Sequence, residues 1–306
     1  MPEIMIYSDR LPLAGEIIAA AKELDKEVSA VGLNESDAGE LAAYGAETIY
    51  VLKGESKRPE DYCWTMATVI AKVRPESFLV GATVRGREIG ARLAAILGSP
   101  LMSEVNRISL AKGALETERT MYGGAAVLTE TVGGFAVITI SGGKHQSYRE
   151  EGRSAEIVTV AAEIDTRVTQ VRVEPIVRAG ADITKAARIV CVGMGFDKKD
   201  DLAIARDLAA ALGGEVAATR PITEDRKWLP AETYVGISGA VIRPNLYIGL
   251  GVSGQIQHTY GIRDAKIVAA VNNNERATIF QAADYAIVGD LYEIAPLLTE
   301  MIGRAG

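Results

Sequence analysis

Residues that most directly signal thiol or metal chemistry are scarce, with two cysteines and two histidines among 306 residues. Cys63 and Cys191 lie far apart in the chain, so they make neither a Cys-x-x-Cys redox pair nor an iron–sulfur ligand set, and both are expected as buried packing residues. No HExxH run or Cys/His cluster points to a catalytic transition metal. Long apolar runs are missing too. The longest are strand length and broken by charge or glycine, well short of the ~20 residues that a spanning helix needs. The opening MPEIMIYSDR enters a strand at once, without a basic-then-apolar leader, so a cytoplasmic protein without membrane insertion is expected. Positive charge is in deficit, with 33 Lys and Arg against 40 Asp and Glu. A net charge of −7 offers no footprint for nonspecific nucleic-acid binding.

The chain does have apolar material, 48% of residues, with no low-complexity tract and enough length for two domains. Its first third alternates short apolar runs with amphipathic segments. Ile4 to Tyr7 precedes Leu13 to Leu24, Val28 to Leu33 precedes Asp37 to Tyr44, Thr48 to Leu52 precedes Tyr62 to Val73, and Ser77 to Val80 precedes Glu88 to Leu97. Four β-α units of this kind predict a parallel sheet with helices on its faces. From Glu104 to Ser141 the pattern changes to strands punctuated by Lys112-Gly113, Gly123-Gly124 and Gly133-Gly134, which predicts antiparallel additions to that sheet. Lys144 to Glu156 reads as a polar loop, Thr169 to Val177 as a strand, and Ala179-Gly180 as a turn. The expected architecture is α/β in two domains, an N-terminal parallel α/β sheet over 1–181 and a C-terminal Rossmann-like domain over 182–306. The second series runs through Arg188 to Gly193, a helix from Asp200 to Leu212 ended by Gly213-Gly214, then strands at Glu215 to Ala218, Leu246 to Leu250, Ile267 to Val271 and Tyr285 to Val288.

Within that series, LYIGLGVSGQIQHTYGIRDAKIVAAVNNN (Leu246 to Asn274) sets two strand-like runs around a glycine-rich turn. Gly249, Gly251 and Gly254 allow backbone to approach a ligand, and a helix opening near Ser253 would turn free N–H groups toward an anion such as a pyrophosphate. Asn272 closes the next strand, where open parallel sheets bind ligands. His258, flanked by Gln255 and Gln257, would lie in that helix; spacing alone leaves a satisfied surface or core histidine open.

The segment closely resembles the signature of the electron transfer flavoprotein alpha subunit, with its GxSGxIQHxxG core. The resemblance continues through TIFQAADYAIVGD (Thr278 to Asp290), Ala218-Thr219-Arg220-Pro221, Tyr234 to Gly239 and GATVRGREIGARLAA (Gly81 to Ala95), and covers essentially the whole chain. It is most similar to the branch associated with nitrogen fixation and carnitine metabolism. The resemblance implies an electron carrier that binds FAD in its C-terminal domain, in a heterodimer with the electron transfer flavoprotein beta subunit. Electrons would pass from a donor dehydrogenase to a downstream redox acceptor such as a quinone oxidoreductase. It also implies roles by position. Thr219 and Arg220 would lie near the isoalloxazine, His258 at its N1 and O2 side as a donor or cation, and Ser238 at N5 within the Val235-Gly236-Ile237-Ser238-Gly239 frame. Ser253, Gly254, Gln255, Ile256 and Gln257 would hold the pyrophosphate, and Asn272, Asp290 and Leu291 the adenosine end. Asp290 also suits an N-cap for the following helix.

Two positions depart from the family pattern. Met194, in Gly193-Met194-Gly195, replaces an arginine, so that a phosphate-side cation is either missing or supplied by Lys198, Lys199 or a partner, and Ile237 replaces a glutamine of many members. His145 is expected to be solvated, Arg85, Arg87, Glu88 and Arg92 to form an exposed helix face, and Trp64 and Trp228 to pack or meet a partner. Two other function classes stay open. One is a self-sufficient flavin- or NAD(P)-dependent oxidoreductase, for which neither an acid/base pair nor a GxGxxG fingerprint is evident. The other is a nucleotide-sensing regulator.

Overall fold

The computed structural model describes residues 4–174 and 182–305, which fall into two compact units, 1–173 and 174–306. The first unit opens with the expected units: β1 (Ile4–Tyr7), α1 (Leu11–Lys22), β2 (Val28–Gly32), α2 (Glu35–Tyr44), β3 (Thr48–Lys53), α3 (Cys63–Val73), β4 (Ser77–Gly81) and α4 (Val84–Leu97). Alternate side chains of β1 divide between two cores. Ile4 and Ile6 pack with Leu13 and Ile17 of α1 and Leu41 of α2, whereas Met5 and Tyr7 pack with Met66 and Ile70 of α3 and Leu93 of α4. Burial on both faces is why these strands read as unbroken apolar runs.

The glycine-punctuated stretch resolves differently from expectation. It contains β5 (Leu101–Val105), β6 (Arg107–Ala111), β7 (Ala114–Met121), β8 (Ala126–Val132) and β9 (Ala136–Ile140), and then comes β10 (Glu156–Ala161). Strands β6, β7 and β8 make an antiparallel sheet of their own, while β9 inserts parallel between β4 and β5. The main sheet, in the order β10-β3-β2-β1-β4-β9-β5, is therefore parallel at every pairing. The antiparallel strands do not extend it. Residues 169–174 form no strand, and the rest of the strand expected to Val177, with the turn at Ala179-Gly180, lies outside the described residues.

His145 departs from its expected exposure, whereas Arg85 is exposed as expected. The His145 side chain is nine-tenths buried, with Nδ1 3.4 Å from Glu23, and Arg85 binds the buried Glu60 carboxylate at 2.9 and 3.0 Å. Arg87 and Glu88 are exposed as well, and Arg92, half-buried, pairs along the helix with Glu88. Both cysteines are buried.

The second unit contains β11 (Arg188–Val192), α5 (Leu202–Leu212), β12 (Glu215–Ala218), β13 (Leu246–Leu250), α6 (Ile256–Thr259), β14 (Val268–Asn272), β15 (Tyr285–Val288) and α7 (Leu291–Ala305). All strands are parallel, in the order β12-β11-β13-β14-β15. Helices α5 and α7 cover one face through Leu202, Leu208, Leu291 and Ala295. The other face is covered by irregular chain, with Val235, Ile242, Ile262 and Ile279 packed on Cys191 and Tyr247. The chain leaves β11 toward β12 on one side, while β13 pairs on the other. This reversal opens a crevice beyond the carboxyl ends of the strands, the position where open α/β sheets bind ligands.

Candidate functional site

Two turns pack back to back at the floor of that crevice. Gly195 donates to the Gly251 carbonyl at 3.1 Å, and a Cβ on Gly193 would come 2.2 Å from the same oxygen. Gly251 has φ +61° and Gly254 φ +85°, and a Cβ on Gly254 would lie 2.1 Å from the Ile279 nitrogen. The glycines of the motif are therefore required by backbone-to-backbone contact as well as by conformation. The helix expected from Ser253 is shorter than foreseen: α6 begins at Ile256 and makes a single turn before a 3-10 turn over Tyr260–Ile262.

Two hollows open above this floor and share Ser253 and Gln255. The first, about 570 Å³, is lined by Asn272, Asn273, Asn274, Arg276, Thr278 and Asp290 among others. Asn272 is nearly buried; its Nδ2 donates to the Val252 carbonyl at 2.8 Å and its Oδ1 accepts from the Asn274 nitrogen, so it ties two crevice loops together. Asp290 caps α7 by accepting from the Tyr292 nitrogen at 2.8 Å, and buried Leu291 follows it along the wall. Among the described lining residues Arg276 carries the only positive side chain, and Asp197 and Asp290 the negative ones. Neither Lys198 nor Lys199 lines the crevice.

The second hollow, about 450 Å³, is more apolar, with Met194, Pro221, Ile237 and Val252 beside Thr219, Arg220, Ser238, Gln257 and His258. Thr219 Oγ1 is buried without a hydrogen-bond partner. Arg220 is exposed and pairs with Glu224 at 2.7 Å. Ser238 Oγ lies 3.3 Å from the Tyr234 hydroxyl, and Ile237 donates to the Gln257 carbonyl at 2.8 Å. Gly236 and Gly239 let this segment close on Tyr234, whose atoms would meet a Cβ at 2.7 and 2.5 Å. Val235 contributes through its backbone, since its side chain is in the core. Ile256 is exposed in a separate shallow groove with Gln281 and Ala282.

His258 is 7% exposed, with Nδ1 3.0 Å from the Val235 carbonyl oxygen and Nε2 2.7 Å from the Tyr247 hydroxyl. Burial lowers its pKa to about 4, against a smaller opposing effect of the Val235 carbonyl. At neutral pH it is an uncharged ring with both nitrogens engaged inside the chain. Of the donor or cation that the resemblance implies at this position, the chain by itself holds the uncharged ring.

Residues 182–263 match the electron transfer flavoprotein FAD-binding domain, and residues 11–165 match the electron transfer flavoprotein domain. The chain is 34% identical to the FixB proteins of Salmonella typhimurium and Salmonella typhi over 307 residues, covering 98% of each chain. It is 33% identical to FixB of Shigella flexneri over 312 residues, covering 99% of this chain and 98% of that one. The chain belongs to the electron transfer flavoprotein alpha-subunit family. FAD is the cofactor of the matched domain.

The residues present in this alpha subunit fit that cofactor. The orphaned Thr219 hydroxyl supplies an unused polar group at the apolar hollow, and Gly195 and Gly251 line the polar one, where a diphosphate would need close approach to backbone. The sequence pattern missed Arg276, Thr278 and Tyr292 as lining residues. A polar run of three asparagines, the first of them closing β14, was the available signal for the first of these, because it falls at the carboxyl edge of the sheet.

Proposed function

We propose that this chain holds FAD across the two joined hollows, with the diphosphate and adenosine in the polar crevice and the flavin ring in the apolar one. The observation that carries the reading is the junction at Ser253 and Gln255, where a polar, cation-bearing hollow meets an apolar one rimmed by single polar groups. A dinucleotide with one charged and one flat half matches that division. Bound flavin supplies the redox chemistry, accepting and releasing electrons. The chain's residues orient it and set its surroundings. Arg276 neutralises phosphate charge, and Asn272 and Asp290 hold the adenosine end. The hydroxyls of Thr219 and Ser238 reach the ring edge, and Arg220, always protonated, favours negative charge on the reduced ring.

Electron transfer flavoprotein alpha subunits pair with a beta subunit, and here that partner completes the ring's enclosure. In this reading the C-terminal unit is a Rossmann-like FAD domain, the heterodimer works in the cytoplasm, and it carries electrons from a dehydrogenase to a second redox protein such as a quinone oxidoreductase. Co-purification of the chain with its beta subunit, followed by cofactor extraction, should yield FAD held by this chain. Substrate turnover by the isolated chain without a partner would instead mark a self-sufficient oxidoreductase and sink the proposal.

A further inference from the structure

The segment from Tyr234 to Ala240 folds as a clasp around one aromatic ring. Tyr234 is buried, Ser238 is exposed, and both line the apolar hollow. The backbone is held at several points. Val235 donates to the Ala218 carbonyl at 3.0 Å, Ile237 to Gln257 at 2.8 Å and Ala240 to Tyr234 at 2.8 Å. Gly239 donates to Gly236 at 3.0 Å, closing a turn with Ile237 and Ser238 at its tip. A Cβ on Gly236 would come 2.7 Å from the Tyr234 hydroxyl oxygen, and one on Gly239 2.5 Å from Tyr234 Cδ1. The chain thus lies directly against the Tyr234 ring on both sides of Ser238. None of these backbone bonds reaches the Ser238 side chain. Among the described residues its Oγ has one hydrogen-bond partner, the Tyr234 hydroxyl at 3.3 Å. A serine hydroxyl otherwise moves among staggered wells, and this contact selects one of them.

We propose that Tyr234 is a positioning residue for the flavin edge: its hydroxyl holds the Ser238 hydroxyl at the ring and exchanges donor and acceptor roles with it. The inference rests on the proposed seat of the ring in the apolar hollow. Flavin N5 accepts a hydrogen bond in the oxidised ring and carries a hydrogen in the fully reduced one. A group that serves this edge in both states has to donate in the first and accept in the second. A hydroxyl can do either, provided that a neighbour takes the complementary role. When Tyr234 donates to Ser238 Oγ, the serine hydrogen is left for an acceptor on the ring. When Ser238 donates to the phenol oxygen, its lone pairs are left for a donor. Either atom of the 3.3 Å pair can donate, so the contact survives the reversal.

The test uses the complex of this chain with its beta subunit, reconstituted with FAD carrying nitrogen-15 at N5. A ring nitrogen that accepts a hydrogen bond resonates upfield of one that does not, so Ser238→Ala should move the oxidised N5 signal downfield. Tyr234→Phe keeps the ring against Gly236 and Gly239 and removes only the hydroxyl. It should move the signal the same way by a smaller amount, while FAD affinity changes by less than ~10-fold, as the loss of one neutral hydrogen bond allows. In a Ser238→Ala background, Tyr234→Phe should move the signal no further, and the flavin midpoint potential should follow the same non-additive pattern. An N5 signal unchanged in Tyr234→Phe but moved by Ser238→Ala would overturn the proposal and leave the seat of the ring standing. Additive shifts in the double variant would overturn it too, because Tyr234 would then act without the serine. A signal that Ser238→Ala does not move would refute the seat of the ring, and the proposal with it. A ring-fluorinated tyrosine introduced at position 234 alone keeps the packing and makes the hydroxyl a stronger donor. It should move the oxidised signal upfield, and no shift there would overturn the proposal even if Tyr234→Phe failed to assemble.

Discussion

At His258, burial makes stability depend on acidity. The folded-state pKa, lowered to about 4 from an ordinary 6.5, means that the unfolded chain binds the proton more readily. The stabilisation is fully present above pH 6.5 and disappears as pH falls through about 4. The shift corresponds to a loss on the order of 3 kcal/mol across that window. Urea melts of the chain between pH 7.5 and 4.5 should show this decline, and His258→Gln should flatten it while lowering stability at pH 7.5. Equal slopes for the two proteins would exclude His258 as its source. Arg276 makes a separate prediction for binding. It is the cation of the polar crevice, so Arg276→Ala should weaken FAD binding by the ~1.5–3 kcal/mol typical of a charge-assisted contact. The variant should also reduce the salt dependence of cofactor release, measured by fluorescence of freed FAD, while Lys198→Ala changes neither. Sequence pattern reached His258 because histidine is rare here, but could not say which way its ring was tied. Both partners, Val235 and Tyr247, are distant in sequence and apolar in pattern.

At the scale of elements, the turns after β11 and β13 act as one piece because their backbones touch. Gly251→Ala would force a Cβ into the left-handed region and within 2.7 Å of Gly195 Cα. Backbone strain and overpacking together should cost roughly 2–4 kcal/mol. Thermal melts should show the loss, and the complex should emerge from purification depleted in FAD. Full FAD occupancy in Gly251→Ala would mean the turns accommodate a side chain after all. The β-α units were legible because parallel strands buried on both faces are continuous apolar runs bounded by helices. The same logic applied to β9, whose AVITI is wholly buried, yet its place among hairpin strands concealed the parallel pairing. Strand β10 was missed for the opposite reason. It pairs only with β3 at the sheet edge, and its exposed Glu156, Ile157 and Thr159 blend into the polar loop before it. Local pattern identifies a strand's faces far better than its partner.

For the molecule as a whole, the matched FAD-binding domain begins at residue 182, and every proposed FAD contact on this chain lies between Met194 and Leu291. A fragment of residues 1–173 expressed with the beta subunit should therefore be colourless. Complete FAD on that fragment would place the cofactor in the wrong unit. The second hollow has a more specific consequence. Met194 is 48% exposed and Ile237 54% exposed on its rim, so in the chain alone one wall of the ring's seat faces water. A ligand enclosed on fewer sides keeps less of its surface out of solvent and binds more weakly. The alpha chain alone should accordingly hold FAD at least ~10-fold more weakly than the heterodimer, a difference of about 1.4 kcal/mol. Flavin fluorescence titration of the chain with and without the beta subunit, alongside light scattering for mass, measures both affinities. A monomer that binds FAD as tightly as the complex would show that the apolar hollow needs no second subunit to close it.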